Sequence, residues 1–220
     1  MEPRRFAAFA GIAWVLVTAV GVGAFALAGT PPAFSDGSGY ATFISRSSAF
    51  FLTDAFAGGV GSMLLIAFVV GLATTLRAID ARANLAAALL FGFGIAVAGM
   101  LAIVATLETA TVYVATTPAY AALTAPFFLA TQTVVVFLYF PAVGFFVTLA
   151  SSGSRTGLLP RWTSRLSWLA AGLLASATLA TFGGTGAFGP LGILQVLLGF
   201  LPAAITFLAV SISMARNPAP

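Results

Sequence analysis

The chain has 220 residues, of which 60% are hydrophobic and 6% charged, with a formal net charge of +4. Polar surface on that scale cannot cover a water-soluble globule of this size, so the chain belongs in a lipid bilayer. The charge comes from nine scattered arginines, and there is no lysine, histidine or cysteine, which excludes a basic phosphate-tracking patch, disulfides, Cys- or His-held metals, Ser-His-Asp chemistry and lysine Schiff bases as self-contained functions.

Six apolar runs approach the roughly 20 residues that cross a bilayer as a helix: 6–28, 50–76, 85–107, 126–149, 166–182 and 191–214. The runs are continuous rather than alternating, which predicts helices and not a barrel. The expected fold is therefore all-α, a single domain of six transmembrane helices. The first run follows Arg4-Arg5 and ends near Ala26-Leu27-Ala28, like a cleavable secretory signal. It exceeds the ~7–15 residues of a signal core and is expected to be retained.

Arginine placement predicts the orientation, because cytoplasmic loops carry the excess of positive charge. With the N-terminus inside, Arg4, Arg5, Arg77, Arg82, Arg155, Arg161, Arg165 and Arg216 fall inside and Arg46 alone outside. Both termini are then cytoplasmic, in a bacterial-type cytoplasmic membrane. The outer segment 29–49 begins rich in Pro and Gly. Its Tyr40, Phe43 and Ile44 then recur at helical spacing, as in a short helix lying on the membrane interface.

The second run begins with Asp54, which shares a helix face with Gly58, Gly61 and Ser62. Small residues there let another helix approach, and Gly58-x-x-x-Ser62 is a candidate stripe for docking a partner. Glu108 follows the third run. At about 1.5 Å per residue it lies ~35 Å from Leu85, beyond a ~30 Å hydrocarbon core, which makes it interfacial. Thr106, Thr109, Thr111, Tyr113, Thr116 and Thr117 surround it, a composition compatible with an outward-facing vestibule.

The fourth run carries Thr131, Gln132 and Tyr139, and the sixth carries Gln195. Pro126, Pro141 and Pro202 interrupt these two runs and free backbone carbonyls. Between the fourth and fifth runs, Arg161, Trp162, Arg165 and Trp168 suit a cytoplasmic loop pinned to headgroups. Near the chain's end, Gly184-Thr185-Gly186-Ala187-Phe188-Gly189 spells G-x-G-x-x-G, but between two membrane helices it lacks the strand that a dinucleotide site requires.

Arg46, Asp54, Glu108, Gln132 and Gln195 all project toward the outer half of the expected bundle. They are the candidate ligand-binding residues, in an outward-open polar pocket with Arg46 paired to Asp54 or Glu108. The other reading makes them separate interfacial charges and interhelical hydrogen bonds. Asp54 and Glu108 lie in no hydrolase motif, so no catalytic residue, metal or cofactor is assigned and an enzyme is not expected. The leading expectation is a small-solute carrier or binding protein. The competing one is a non-catalytic accessory or structural subunit, with a membrane-protein partner or a second copy. Besides these, the bilayer is the expected partner, and nucleic acid is not.

Two stretches also share V-G-x-x-x-T-L, at Val70–Leu76 and Val143–Leu149, each followed by a basic loop and then LAAALL or LAAGLL. Such a pattern would arise if runs two and three were duplicated as four and five, as parallel repeats are in some transporters. The segments VVVFLYFPAVGFFVTL at 134–149 and SGSRTGLLPRWTSRLSWLAAGLL at 152–174 resemble a family of bacterial six-helix integral membrane proteins classed as a domain of unknown function. The resemblance implies the same topology and carries no activity with it.

Overall fold

A computed structural model describes residues 2–32, 36–183 and 196–216, and among them the chain is helical without strands. The helices are α1 (Pro3–Leu27), α2 (Gly37–Arg46), α3 (Ser48–Ile79), α4 (Asn84–Thr116), α5 (Thr124–Gly153), α6 (Arg161–Gly183) and α7 (Leu201–Arg216). Tight 3-10 turns at Ala81–Ala83 and Pro118–Leu123 join α3 to α4 and α4 to α5. Five helical segments are long and apolar enough to cross a membrane: α1, α3, α4 and α5 with their leading turns, and Leu197–Arg216. The 23-residue α6 is not among them, and its first two turns carry Arg161, Thr163, Ser164, Arg165 and Ser167.

The long helices form a closed ring. α1 packs on α3, α3 on α4, α4 on α5 and α5 on α6, and α7 closes the circle by packing on both α6 and α1. Side chains small enough for close approach make these contacts, as expected where lipid removes the usual hydrophobic drive between helices. An added Cβ at Gly71 of α3 would stand 2.8 Å from Ala7 Cβ and 2.9 Å from the Pro3 carbonyl oxygen of α1. At Gly144 of α5 it would stand 2.7 Å from the Phe93 ring of α4. The arginines segregate along the ring axis: Arg46 lies at the α2 end, and the other eight lie at the opposite end by their positions on the helices. There Arg4 is buried and donates a hydrogen bond to the Leu158 carbonyl at 3.4 Å, tying α1 to the turn before α6.

Several expected boundaries move, for physical reasons. α4 runs on to Thr116 rather than stopping at 107, because its threonines satisfy their hydroxyls on the helix itself. Thr106, Thr109, Thr111 and Thr116 donate to the carbonyls of Ala102, Ala105, Leu107 and Val112 at 2.7–2.9 Å. Hydroxyls bonded in this way do not need a watery vestibule. Arg161, Trp162, Arg165 and Trp168 are helical residues of α6 rather than a loop, although both tryptophans are exposed. The sixth expected run is broken, with a π-helical turn at Val196–Phe200 preceding α7. Pro202 lacks the N–H that an unbroken α-helix would use there. Residues 191–195 and the G-x-G-x-x-G segment lie outside the described residues.

The helix expected in segment 29–49 is α2, but its apolar stripe does not face lipid. Tyr40 and Ile44 are fully buried and cluster with Phe51, Val112, Ala115 and Phe128 from the ends of α3, α4 and α5. The Asp36 side chain starts α2 by accepting from Gly39 N at 2.8 Å, the usual N-cap bond. Burial raises the Tyr40 phenol above its ordinary pKa. α2 thus caps one end of the ring.

Candidate functional site

The helix ring encloses a cavity of ≈ 270 Å³, and all six ring helices contribute to its wall. At its floor, Trp14 of α1, Phe145 and Phe146 of α5 and Phe207 of α7 form one aromatic group. The Phe207 ring lies 4.5 Å from Trp14, 5.5 Å from Phe145 in a stacked arrangement and 5.3 Å from Phe146. Aliphatic residues of α4 and α5, among them Val97, Leu101 and Val135, form the waist. Gly199 and Phe200 of the π-helical turn face the same space.

Toward α2 the wall turns polar. Gly58 of α3 meets α4 where an added Cβ would touch Ala105 Cβ at 3.4 Å. In antiparallel helices the next layer pairs a residue about one turn before Gly58 with one about a turn after Ala105, and those residues are Asp54 and Glu108. Their side chains lie within hydrogen-bonding reach of each other. Asp54 fits there because its third neighbour is a glycine: an added Cβ at Gly21 of α1 would stand 2.6 Å from Asp54 Oδ1.

Glu108 is only 7% exposed, so the extended α4 and the α2 cap place it inside the protein rather than at an open interface. Gln132 of α5 lines the same cavity, is also 7% exposed, and has no hydrogen-bond partner among the described residues. Asp54 lies 6 residues from the start of α3, and Gln132 lies 8 from the start of α5. Glu108 lies 8 residues before the end of α4. The three therefore share a layer about 9–12 Å below the α2 end of the ring.

On α1, α3, α4 and α5 the next turn outward is apolar. Phe25 follows Gly21, Phe51 precedes Asp54, Val112 follows Glu108 and Phe128 precedes Gln132. Phe25 meets Phe51 edge-on at 5.6 Å, and Phe51 meets Phe128 at 6.1 Å. Aromatic rings and α2 thus cover the polar layer on the α1, α3, α4 and α5 side. The cavity is mainly apolar, with acid and amide groups near one end.

Of the five candidate residues, Asp54, Glu108 and Gln132 come together. Arg46 does not join them. It is exposed and lines a separate surface cleft with Asp36, Ser38, Thr42 and Ser47, on the outer side of α2. The expected pairing of Arg46 with Asp54 or Glu108 is replaced by the pairing of the two acids. Gln195 lies outside the described residues. The small-residue face of α3 is used within the chain, since Gly58 meets α4 and Gly61 meets Trp14 and Thr18 of α1. Ser62 is buried and bonds to the Gly59 carbonyl.

Sequence reasoning missed Trp14, Gly21, Phe145, Phe146 and Phe207. In an apolar chain aromatic residues inside and outside the bundle look alike, and 21 phenylalanines offer no contrast. Among the described residues no group of three metal-ligating side chains occurs. The chain matches no family model, no curated protein and no solved structure.

Proposed function

We propose that this is a multi-pass protein of the cytoplasmic membrane that acts as a small-solute carrier or binding protein, holding its solute in the central cavity. In this reading α6, about 35 Å long, is the sixth span. The arginine-rich end of the ring and both termini are cytoplasmic, and α2 lies on the outer side. One observation carries the reading: polar side chains from α3, α4 and α5 converge in a cavity whose remaining walls are apolar. Buried polar groups are costly unless satisfied, and Gln132 has no protein partner among the described residues to satisfy it. Ligand pockets combine mostly apolar walls with a few convergent polar groups in this way.

Native mass spectrometry of the protein extracted mildly from its own membrane tests the proposal. The expected result is a reproducible small-molecule adduct that is lost on Gln132→Ala and on Asp54→Asn. A stoichiometric second protein with no small adduct would instead make the chain an accessory subunit.

A further inference from the structure

We infer that the cavity takes an amphiphilic organic cation, an apolar body carrying a protonated amine, and that its ammonium group seats against Asp54, Glu108 and Gln132. This rests on the solute-binding reading above and names the chemistry of the solute.

The charge around the cavity is one-sided. Two acids line it and no arginine does. Of the groups on the packed elements, Arg46 and Asp36 of the α2 region face the surface cleft. Glu2, Arg4 and Arg5 of α1, Arg77 at the end of α3, Asp80 and Arg82 of the following turn, and Arg161, Arg165 and Arg216 of α6 and α7 belong to the opposite end. α5 has no charged residue. An anionic solute would meet uncompensated repulsion beside the acids, whereas a cation meets the field they create.

The body of the solute follows from the walls. Ring faces from Trp14, Phe145, Phe146 and Phe207 present negative potential and large apolar area, which suits an apolar or aromatic body bearing positive charge. A bare metal ion is a poor match, because hard cations need about six to eight oxygen ligands and these walls are mostly carbon.

Independent of the acids, the Gln132 amide is 93% buried by its 7% exposure, lines the cavity and has no hydrogen-bond partner among the described residues. Its carbonyl adds a third acceptor to the two carboxyls. An ammonium has three N–H donors on a primary amine, so the number of acceptors matches the number of donors.

The two carboxyls are the only charge-bearing side chains on the cavity wall among the described residues, and no arginine reaches it. A bound monocation therefore offsets negative charge that the protein itself leaves uncompensated in a low-dielectric site.

Isothermal titration in lipid nanodiscs, with empty nanodiscs subtracted, tests this with three probes that share one body: 4-phenylbutylammonium, 4-phenylbutanol and 4-phenylbutyrate. The ammonium is expected to bind about tenfold or more tighter than the other two. The isosteric variants Asp54→Asn and Glu108→Gln, checked for unchanged thermal unfolding, are expected to remove the preference for the ammonium. The comparison of the three probes on the unmodified protein needs no variant, so a misfolded variant does not blunt the test. Equal binding of ammonium and alcohol overturns the cation inference while leaving a solute-binding cavity. No binding of any probe overturns the cation inference, and the presence or absence of a co-extracted small molecule then decides the solute-binding reading separately.

Discussion

The Asp54 carboxyl of α3 lies within hydrogen-bonding reach of the Glu108 carboxyl of α4, one helical turn beneath a layer of phenylalanines. The contact exists because Gly58 and Ala105 bring the two helices close one turn deeper, and because Gly21 of α1 leaves room for the Asp54 carboxyl.

Asp54 and Glu108 are therefore expected to be energetically coupled. A double-mutant cycle of Asp54→Ala and Glu108→Ala, read by equilibrium unfolding in mixed micelles, is expected to give a coupling energy of about 0.5–2 kcal/mol, the range of interhelical polar contacts in membranes. Strictly additive effects would mean that the two carboxyls do not share their contact.

The glycines of α1 differ in what they support. Gly21→Ala is expected to destabilise by about 1–3 kcal/mol, as overpacked sites do, because its Cβ would meet Asp54 and Ala57 at 2.6 and 3.0 Å. Gly23 has nothing within 4 Å of an added Cβ, so Gly23→Ala is expected to be neutral or to gain up to about 1 kcal/mol of helix propensity. Thermal unfolding of the two variants side by side checks the contrast, and equal effects would contradict it.

Helices were legible in the sequence where apolar residues ran without interruption, as in α1, α3 and α5, since lipid leaves the backbone few alternatives. The course of α4 past Leu107 was not, because threonines read as polar while their hydroxyls bond back to Ala102, Ala105, Leu107 and Val112. The helical spacing of Tyr40 and Ile44 gave α2, but not that it folds onto the ring, since a stripe of apolar residues looks the same whether it meets lipid or protein. Asp54, Glu108 and Gln132 stood out as rare polar residues in apolar runs. Their meeting in one cavity depends on helix register, which no pattern within a single run encodes. Arg46 stood out for the same reason, yet it sits on the far side of α2.

The α2 cap is expected to control access to the polar layer. The chain has no cysteine, so a single Gln132→Cys reports on this position alone. In the otherwise unchanged protein it is expected to react slowly with a small, charged methanethiosulfonate, and Tyr40→Ala is expected to accelerate labelling, since Tyr40 packs against Phe128 with ring centroids 5.3 Å apart. Equal labelling rates with and without Tyr40 would show that solvent reaches the layer by another route.

Phe207 holds the floor together, touching Trp14, Phe68, Phe145 and Phe146. Phe207→Ala is expected to cost about 3–5 kcal/mol, as for other buried aromatic truncations. Leu179 is 74% exposed on α6, and Leu179→Ala is expected to stay within about 0.5 kcal/mol. Unfolding measurements that reverse this order would contradict the ring arrangement of α7.

The most direct test of the central claim is a cryo-electron microscopy structure of the protein extracted with its surrounding lipid, read for density inside the helix ring. The account expects compact, non-protein density between the Trp14–Phe207 floor and the Asp54, Glu108 and Gln132 side chains, with one end against the Gln132 amide. A cavity collapsed by its own side chains, or filled by acyl chains continuous with the bilayer, would contradict it.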